Sequence, residues 1–458
     1  MRATFDLLRH ERRARVYLAL LLQSALGTGA GYVALLLIAY DRFESPWAIS
    51  LVLIAELLPA MLLGPVFGTF ADRWSRKWCM VLADALRVVA FAGIVAFDSF
   101  VGTVVLAGLA GVGTGLFNPA ALAALPSVVD EPRRTPAATS LYGVVGDFGT
   151  TGGFALSASL LLLGGPDAIM VVNAVTFAIS GLLLARLRFG DAPARAEGEH
   201  PSLGQEIKEG VRATVGMRDI RIVLLGSAAG LVCAGLFNVA ELLFVTEELG
   251  ASDAGFSLLV MAFGIGFIGG SLAGSQGGVA ATLKWRYLAG LLLMGTSLLA
   301  TGLANSFAVV ALTFAAAGFG NGLLLVYERL LILATVPDRL VGRVFGAKDG
   351  LTAWAFGIAF LAGGALVSAL GPRDPILLAG AAALAVYVVT ALALRGEWTA
   401  EGPAADQPLV VAGPTPGSAL LDGGANALGR DGAVGGEDGT DVVGGSEGLR
   451  LGPLDDSR

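Results

Sequence analysis

The sequence has little of what most catalytic or disulfide-built proteins require. Two cysteines, Cys79 and Cys233, fall at or inside apolar stretches, too few and too far apart for a disulfide framework or a thiolate metal site. The two histidines, His10 and His200, lie far from one another, which leaves no His-based metal centre. Charged residues form only 15% of the chain, against about 25% in an ordinary soluble domain. No glycine-rich loop ending in Lys-Ser/Thr is present to cradle phosphates. These absences argue against a disulfide scaffold, a metalloenzyme and an ATP hydrolase. They predict a chain that is not an enzyme, with no cofactor, no metal and no nucleic-acid partner.

What the chain has instead is apolar length. Hydrophobic residues make up 55% of 458, and glycine occurs 65 times; the mean hydropathy is +0.74. Twelve apolar stretches can be read, near 15–40, 47–70, 78–97, 101–122, 139–163, 167–187, 219–246, 254–276, 285–304, 307–330, 343–370 and 375–395. Each is about as long as the roughly 20 residues a helix needs to cross a bilayer. Glycine at this frequency lets such helices approach closely and bend. The expected fold is therefore all-α, a polytopic membrane protein of twelve transmembrane helices in two six-helix bundles, with the lipid bilayer as its main solvent. No cleavage site follows the basic start, so the first stretch is expected to remain in the mature chain.

Positive charge sets the orientation. Arg2, Arg9, Arg12, Arg13 and Arg15 precede the first span, and Arg73, Arg76 and Lys77 follow the second. Arg133 and Arg134 follow the fourth, and a dense group follows the sixth. Lys284 and Arg286 follow the eighth, and Arg339 and Arg343 the tenth. The alternate connections carry only Arg42 and Arg373. Cytoplasmic loops collect Lys and Arg, so both termini are expected inside a cell membrane crossed many times.

The chain divides into four parts: 1–188, a first six-helix bundle; 189–218, a linker; 219–396, a second six-helix bundle; and 397–458, a tail. In the linker, Leu203, Ile207, Val211 and Val215 recur every four residues between Glu206, Lys208, Glu209 and Arg212. That pattern predicts an amphipathic helix lying at the membrane face. From Glu397 onward Gly, Pro, Ala, Asp and Glu dominate without periodicity, which predicts a disordered cytoplasmic tail. Tyr17, Trp47, Trp285 and Trp398 fall near the predicted interfaces, where amphipathic rings settle as anchors.

The turn between the second and third spans reads Gly68-Thr-Phe-Ala-Asp72-Arg73-Trp-Ser75-Arg76-Lys77. Gly68 permits close helix packing, and Asp72 sits among cations at the membrane edge, where it should be ionised and paired. Its candidate partner is Arg343, which opens the eleventh span and brings a helix N-terminus with it. The alternative is that the basic cluster only enforces topology. The corresponding turn of the second half, Gly274 to Lys284, keeps glycines and a late cation but has no Asp-Arg pair.

The pattern Gly68-x-x-x-Asp72-Arg73-x-x-Arg76-Lys77 resembles the signature of the major facilitator superfamily, departing from it at Ser75, where the family has Gly. The resemblance covers roughly Arg15 to Arg395. It implies a secondary transporter of two parallel halves, with Gly68, Asp72, Arg73, Arg76, Lys77 and Arg343 as a conformational latch. Asp84 and Arg87, three apart on one helix face, and the stretch Pro337 to Arg343 look like the branch that holds macrolide and siderophore exporters. Asp84 and Arg87 read equally as an internal ion pair that lets two charges enter the membrane edge. Span five carries Gly146, Asp147, Gly149, Gly152 and Gly153 where drug antiporters of the family have a Gly-Pro-x-x-x-Gly-Gly element; here the double glycine is kept and the proline is not.

Asp147 should lie about 12 Å into the membrane at 1.5 Å rise per residue. An ionisable group there is expensive and marks function by default. Asp147 and Glu241, with Glu56, are the candidate proton carriers. The resemblance makes spans one, four, seven and ten the cavity lining, which puts Gln23, Phe117, Asn118, Phe237, Asn238 and Asn321 on lining helices. Phe244 is a further candidate for a cavity contact, and Glu328 and Arg329 read as a membrane-edge pair. The function expected is proton-coupled efflux of a small hydrophobic drug or secondary metabolite by a monomer. The alternatives are a siderophore or nutrient transporter of the same fold, or a non-transporting scaffold or sensor that uses its tail.

Overall fold

The computed structural model describes residues 7–189, 203–274 and 280–396. Within these, the side chains of 64–65, 68–73, 132 and 203–207 lie outside the description. The tail expected from 397 onward and the turn after Gly274 are likewise outside the described residues.

Eleven helices among the described residues are long and apolar enough to cross a membrane. One of them, Thr135–Arg186, is 52 residues long and contains two spans rather than one. Gly164 and Gly165 leave helical geometry there, Gly165 with φ of 72°. That left-handed conformation is open to glycine at little cost, and Pro166 then starts a new helix at a position where its missing N–H does no harm. The expected twelve spans are all present.

We number them α1 (Arg12–Phe43), α2 (Pro46–Arg73), α3 (Arg76–Ala96) and α4 (Phe100–Val128), followed by α5 (135–163) and α6 (166–186) on either side of the glycine break. The linker helix is α7 (Leu203–Gly216). The second half holds α8 (Arg218–Leu243), α9 (Asp253–Gly274), α10 (Ala280–Leu303), α11 (Phe307–Thr335), α12 (Asp338–Leu370) and α13 (Arg373–Ala393). With twelve crossings the two ends of the membrane region lie on one side, here named the terminal face; the other is the opposite face. Leu162, Leu163 and Leu312 are 80%, 82% and 71% exposed, as side chains that meet lipid rather than water must be.

The halves repeat one another at an offset of 207 residues. Lys77 Nζ, at the start of α3, donates to the Leu187 carbonyl just past α6 at 3.1 Å. Lys284 Nζ, 207 positions later, donates to the Leu394 carbonyl just past α13 at 3.1 Å. A cation on the last carbonyls of a neighbouring helix satisfies groups the helix cannot satisfy itself and opposes its dipole. Ser99 and Ser306 cap α4 and α11 in the same way, each accepting from the N–H three residues on at 3.4 Å. On the opposite face, Arg42 donates to the Ile94 carbonyl at 2.8 Å and to Asp167 at 2.7 Å. Arg373 donates to the Gly302 carbonyl at 2.9 Å and to Glu248 at 2.5 Å.

Two expectations are corrected. Tyr17 is no interfacial anchor: it is fully buried, and its hydroxyl donates to the Ala121 carbonyl at 2.8 Å, tying α1 to α4. Its ring is large enough to fill the bundle and its one polar atom finds a carbonyl there. Trp47 and Trp285 remain exposed, at 40% and 59%. Glu328 is no membrane-edge residue. It is 1% exposed and has Tyr287 and Lys348 as its electrostatic neighbours. The linker helix packs on the protein through Gly210, where an added Cβ would lie 2.2 Å from the Arg343 carbonyl, and through Ala213. Its described apolar positions, Val211 and Val215, are about half exposed, as on a helix that rests its apolar face in the interface.

Candidate functional site

A cavity between the halves collects side chains from both. It encloses about 1320 Å³ including its open mouth. The first half contributes Thr28 and Tyr32 from α1, Glu56 from α2, and Asp147, Thr150, Thr151 and Phe154 from α5. The second contributes Phe237, Asn238 and Glu241 from α8, Phe263 and Phe267 from α9, Asn321 from α11 and Phe356 from α12. The three candidate proton carriers, which stand far apart in the sequence, thus face one space.

Helix crossings without side chains set these positions. A Cβ at Gly111 of α4 would fall 2.0 Å from the carbonyl oxygen of Glu56, so only glycine lets α4 press against α2 at the carboxylate-bearing turn. In α5, a Cβ at Gly149 would lie 2.5 Å from the Ala25 Cβ, and one at Gly153 2.3 Å from the Leu26 carbonyl. The glycine element of span five is therefore the seam that seats Asp147 beside α1. Thr151 of α5 meets Gly264 of α9 across the boundary between halves.

Among the described residues, Glu56 and Asn321 each bring to the cavity a polar atom that the protein leaves without a hydrogen bond. Glu241 is 5% exposed and Asp147 7%. Glu56 is partly exposed because it fronts the cavity, yet its Oε2 is buried with no hydrogen-bond partner, as is Oδ1 of Asn321. Tyr32, 8% exposed, carries the hydroxyl that interacts electrostatically with both Glu241 and Glu56, and its ring meets Phe154 edge-on at 6.2 Å. Among the described residues no group of three His, Cys, Asp or Glu side chains is arranged to hold a metal ion.

Several expected lining residues lie elsewhere. Phe237, Asn238 and Asn321 line the cavity; Gln23, Phe117 and Asn118 are not among its walls. Gln23 Nε2 donates to the Thr176 carbonyl at 2.6 Å, inside the first half. Phe117 lies 4.4 Å from the Arg87 guanidinium, which has Phe177 on another side at 4.2 Å. Arg87 also donates to Asp84 at 2.6 Å, with both side chains at least 97% buried. This pair lies in the core of the first half, away from the cavity. Phe244 is fully buried beneath the guanidinium of Arg373 at 5.1 Å. Being on a lining helix does not decide which face of the helix a residue takes.

Sequence reasoning missed Tyr32. Its one signal was the pair Thr28 and Tyr32, four apart on the first span. It also missed Glu11, which is 2% exposed and holds the α4–α5 connection through Arg134 at 3.0 Å and the Asp130 N–H at 3.0 Å.

At the charged turn, the side chains of Gly68, Asp72 and Arg73 lie outside the described residues. Arg76 and Lys77 have partners in their own half. Arg76 donates to the Ala123 carbonyl at 2.8 Å, and Lys77 caps α6 as described. Ser75 stands in extended geometry as the residue before α3. Arg343 pairs with Glu209 of the linker helix at 2.5 Å.

The inter-half contacts described at the opposite face include the Tyr40 hydroxyl of α1 donating to Glu247 after α8. Gly364 of α12 also lies against Ser50 and Trp47 of α2.

Comparison with known proteins agrees with this architecture. A family model described as Major Facilitator Superfamily matches residues 16–270. The MFS-type transporter YfiS of Bacillus subtilis is 26% identical over 401 residues, covering 84% of this chain and 94% of the relative. The multidrug efflux pump Tap of Mycobacterium bovis is 27% identical over 412 residues, covering 85% and 94%. Among solved structures, a bacterial homologue of the lysosomal transporter Spinster in an inward-facing, unoccupied conformation superposes with a TM-score of 0.64. It shares 13% identity and covers 84% of this chain and 97% of its own. The nucleoside transporter NupG superposes with a TM-score of 0.66 at 11% identity, covering 84% and 100%.

Proposed function

Because the chain belongs to the Major Facilitator Superfamily, we propose that it exports a small hydrophobic molecule across the cell membrane in exchange for protons. The observation that carries this reading is the cavity shared by the two halves, apolar in most of its wall and holding three carboxylates. Rocking of one half against the other would expose such a site to each side in turn. The contacts described between Tyr40 and Glu247, and between Gly364 and α2, close the opposite face. The terminal face is then the loading side, and with termini in the cytoplasm the cargo enters from inside. The relationship to Tap, named as a multidrug efflux pump, favours export over uptake.

Asp147 and Glu241 are the proton carriers in this reading, with Glu56 beside them. The latch acts at the terminal face. Arg343 leaves Glu209 for Asp72 when that face closes, so one guanidinium serves two states. Phe237, Asn238 and Asn321 contact the cargo. The protein acts as a monomer.

The test is a reconstituted vesicle with an imposed pH gradient and a panel of lipophilic cations, macrolides and siderophores. A gradient-driven flux of at least one compound is expected. Asp147→Asn and Glu241→Gln should abolish the proton movement that substrate drives. Proton movement that stays unchanged in both variants removes these residues from the mechanism, and normal flux in Asp72→Asn removes the latch.

A further inference from the structure

We propose that the linker helix α7 binds anionic phospholipid headgroups at the terminal face through Lys208 and Arg212. The lipid contact stands on the geometry of α7 alone; its effect on flux rests on the transport reading above.

The two sides of α7 have different tasks. At about 100° per residue, Glu209, Gly210 and Ala213 fall on one side of the helix, and Lys208, Val211, Arg212 and Val215 fall on the other. The first side is fastened to the second half. Glu209 pairs with Arg343 at 2.5 Å, a Cβ on Gly210 would lie 2.2 Å from the Arg343 carbonyl, and Ala213 packs against the cluster that holds Ile220, Ile332 and Val344. The end of the helix is tied down as well, because Arg221 of α8 donates to the Val215 carbonyl at 2.6 Å. The second side faces outward. Lys208 and Arg212 are exposed there, beside Val211 at 49% and Val215 at 53%.

Cations and apolar side chains on one outward face suit an anionic bilayer surface: the valines enter the acyl boundary while the cations meet phosphate. α7 connects α6 to α8, so it runs along the terminal face. In the reading above that face meets the cytoplasmic leaflet, where anionic lipids collect. The acidic tail of this chain would match the cations but leave the valines in water; lipid satisfies both. The two sides belong to one 14-residue helix, so lipid that holds the outer side keeps Glu209 in place for Arg343. Arg343 is the guanidinium that leaves for Asp72 when the terminal face closes in the transport reading. Anionic lipid therefore slows that closure.

The experiment places the full-length chain in nanodiscs of phosphatidylcholine, alone or with phosphatidylglycerol. Val215→Cys carries an environment-sensitive dye that reports immersion of α7; both native cysteines are buried and stay unlabelled. A blue shift that grows with phosphatidylglycerol and shrinks with added salt is expected. Lys208→Gln and Arg212→Gln should each weaken the apparent lipid affinity by about fivefold. Equal spectra with and without phosphatidylglycerol overturn the lipid site, and so does a wild-type response in the folded double variant. A shift already present in detergent and lost on deletion of residues 397–458 overturns it in favour of the tail. In vesicles under a pH gradient, erythromycin flux should be about fivefold slower with phosphatidylglycerol, and the double variant should remove that difference. Glu209→Gln should keep the dye response and lose the effect on flux; an effect that survives there overturns the link to Arg343. A dye response with no flux in either lipid keeps the lipid site and removes transport. Flux without a dye response keeps transport and removes this inference.

Discussion

Arg87 shows how a charge is made tolerable inside a lipid-embedded bundle. Its guanidinium lies against two phenyl rings and donates to Asp84 at 2.6 Å. Removing one partner leaves an uncompensated buried charge, which costs about 3–5 kcal/mol. Arg87→Met should therefore lower the melting temperature in detergent markedly, while the double variant Asp84→Leu/Arg87→Met recovers most of the loss. Losses that simply add would show that the two residues act independently. The cavity carboxylates predict the reverse. Glu241→Gln should raise the melting temperature, since a neutral amide is cheaper to bury, while impairing function; sites of this kind hold stability below its attainable value. A lowered melting temperature would reveal a partner for Glu241. The spacing of Asp84 and Arg87 was legible in the sequence as an internal pair. The place of Phe117 was not, because α4 is apolar all round and nothing in its pattern says which side meets the cavity.

Among the helices, caps and crossings do most of the positioning. Lys77 and Lys284 make equivalent bonds to the carbonyls that end α6 and α13. Lys77→Ala and Lys284→Ala should each cost about 1–2 kcal/mol, read as similar drops in thermal stability; a large inequality would break the equivalence of the halves. Gly111→Ala drives a methyl toward the Glu56 carbonyl. It should reduce flux more than it reduces expression in the membrane, because the turn it displaces carries a cavity carboxylate; parallel losses would make the crossing merely structural. The spans themselves were readable from apolar length, and the break between α5 and α6 from Gly164-Gly165-Pro166. The linker helix was readable from its four-residue period. What the period could not tell was that Gly210 and Ala213, not the valines, face the protein. An apolar stripe serves a bilayer interface as well as a protein core.

Across the whole molecule, twelve spans followed from apolar length and charge alternation, and their two parallel halves from the family resemblance that the charged turn carries. The cavity did not. It depends on the rotation of each helix about its axis, and near-uniform hydrophobicity erases that information from the sequence. Acidic residues were legible as candidates because each is costly in lipid; their convergence on one space needed the packing. A cysteine pair replacing Tyr40 and Glu247 should react with a short bifunctional thiol reagent and stop flux. Both native cysteines are buried and should not compete. Undiminished flux after complete cross-linking would place the moving parts elsewhere.

Tyr40 and Glu247 are separated by 207 residues, the interval that relates one half to the other. They are the same position counted twice, and they touch. A contact of that sort can only sit on the pseudo-twofold axis, where each half meets its own image, as in an isologous dimer. Such a place is indifferent to which half supplies which member. Exchanging the pair, Tyr40→Glu with Glu247→Tyr, should leave the seal as tight as before. Making both members acidic with Tyr40→Glu alone would set two like charges face to face on the axis and part the halves at the opposite face.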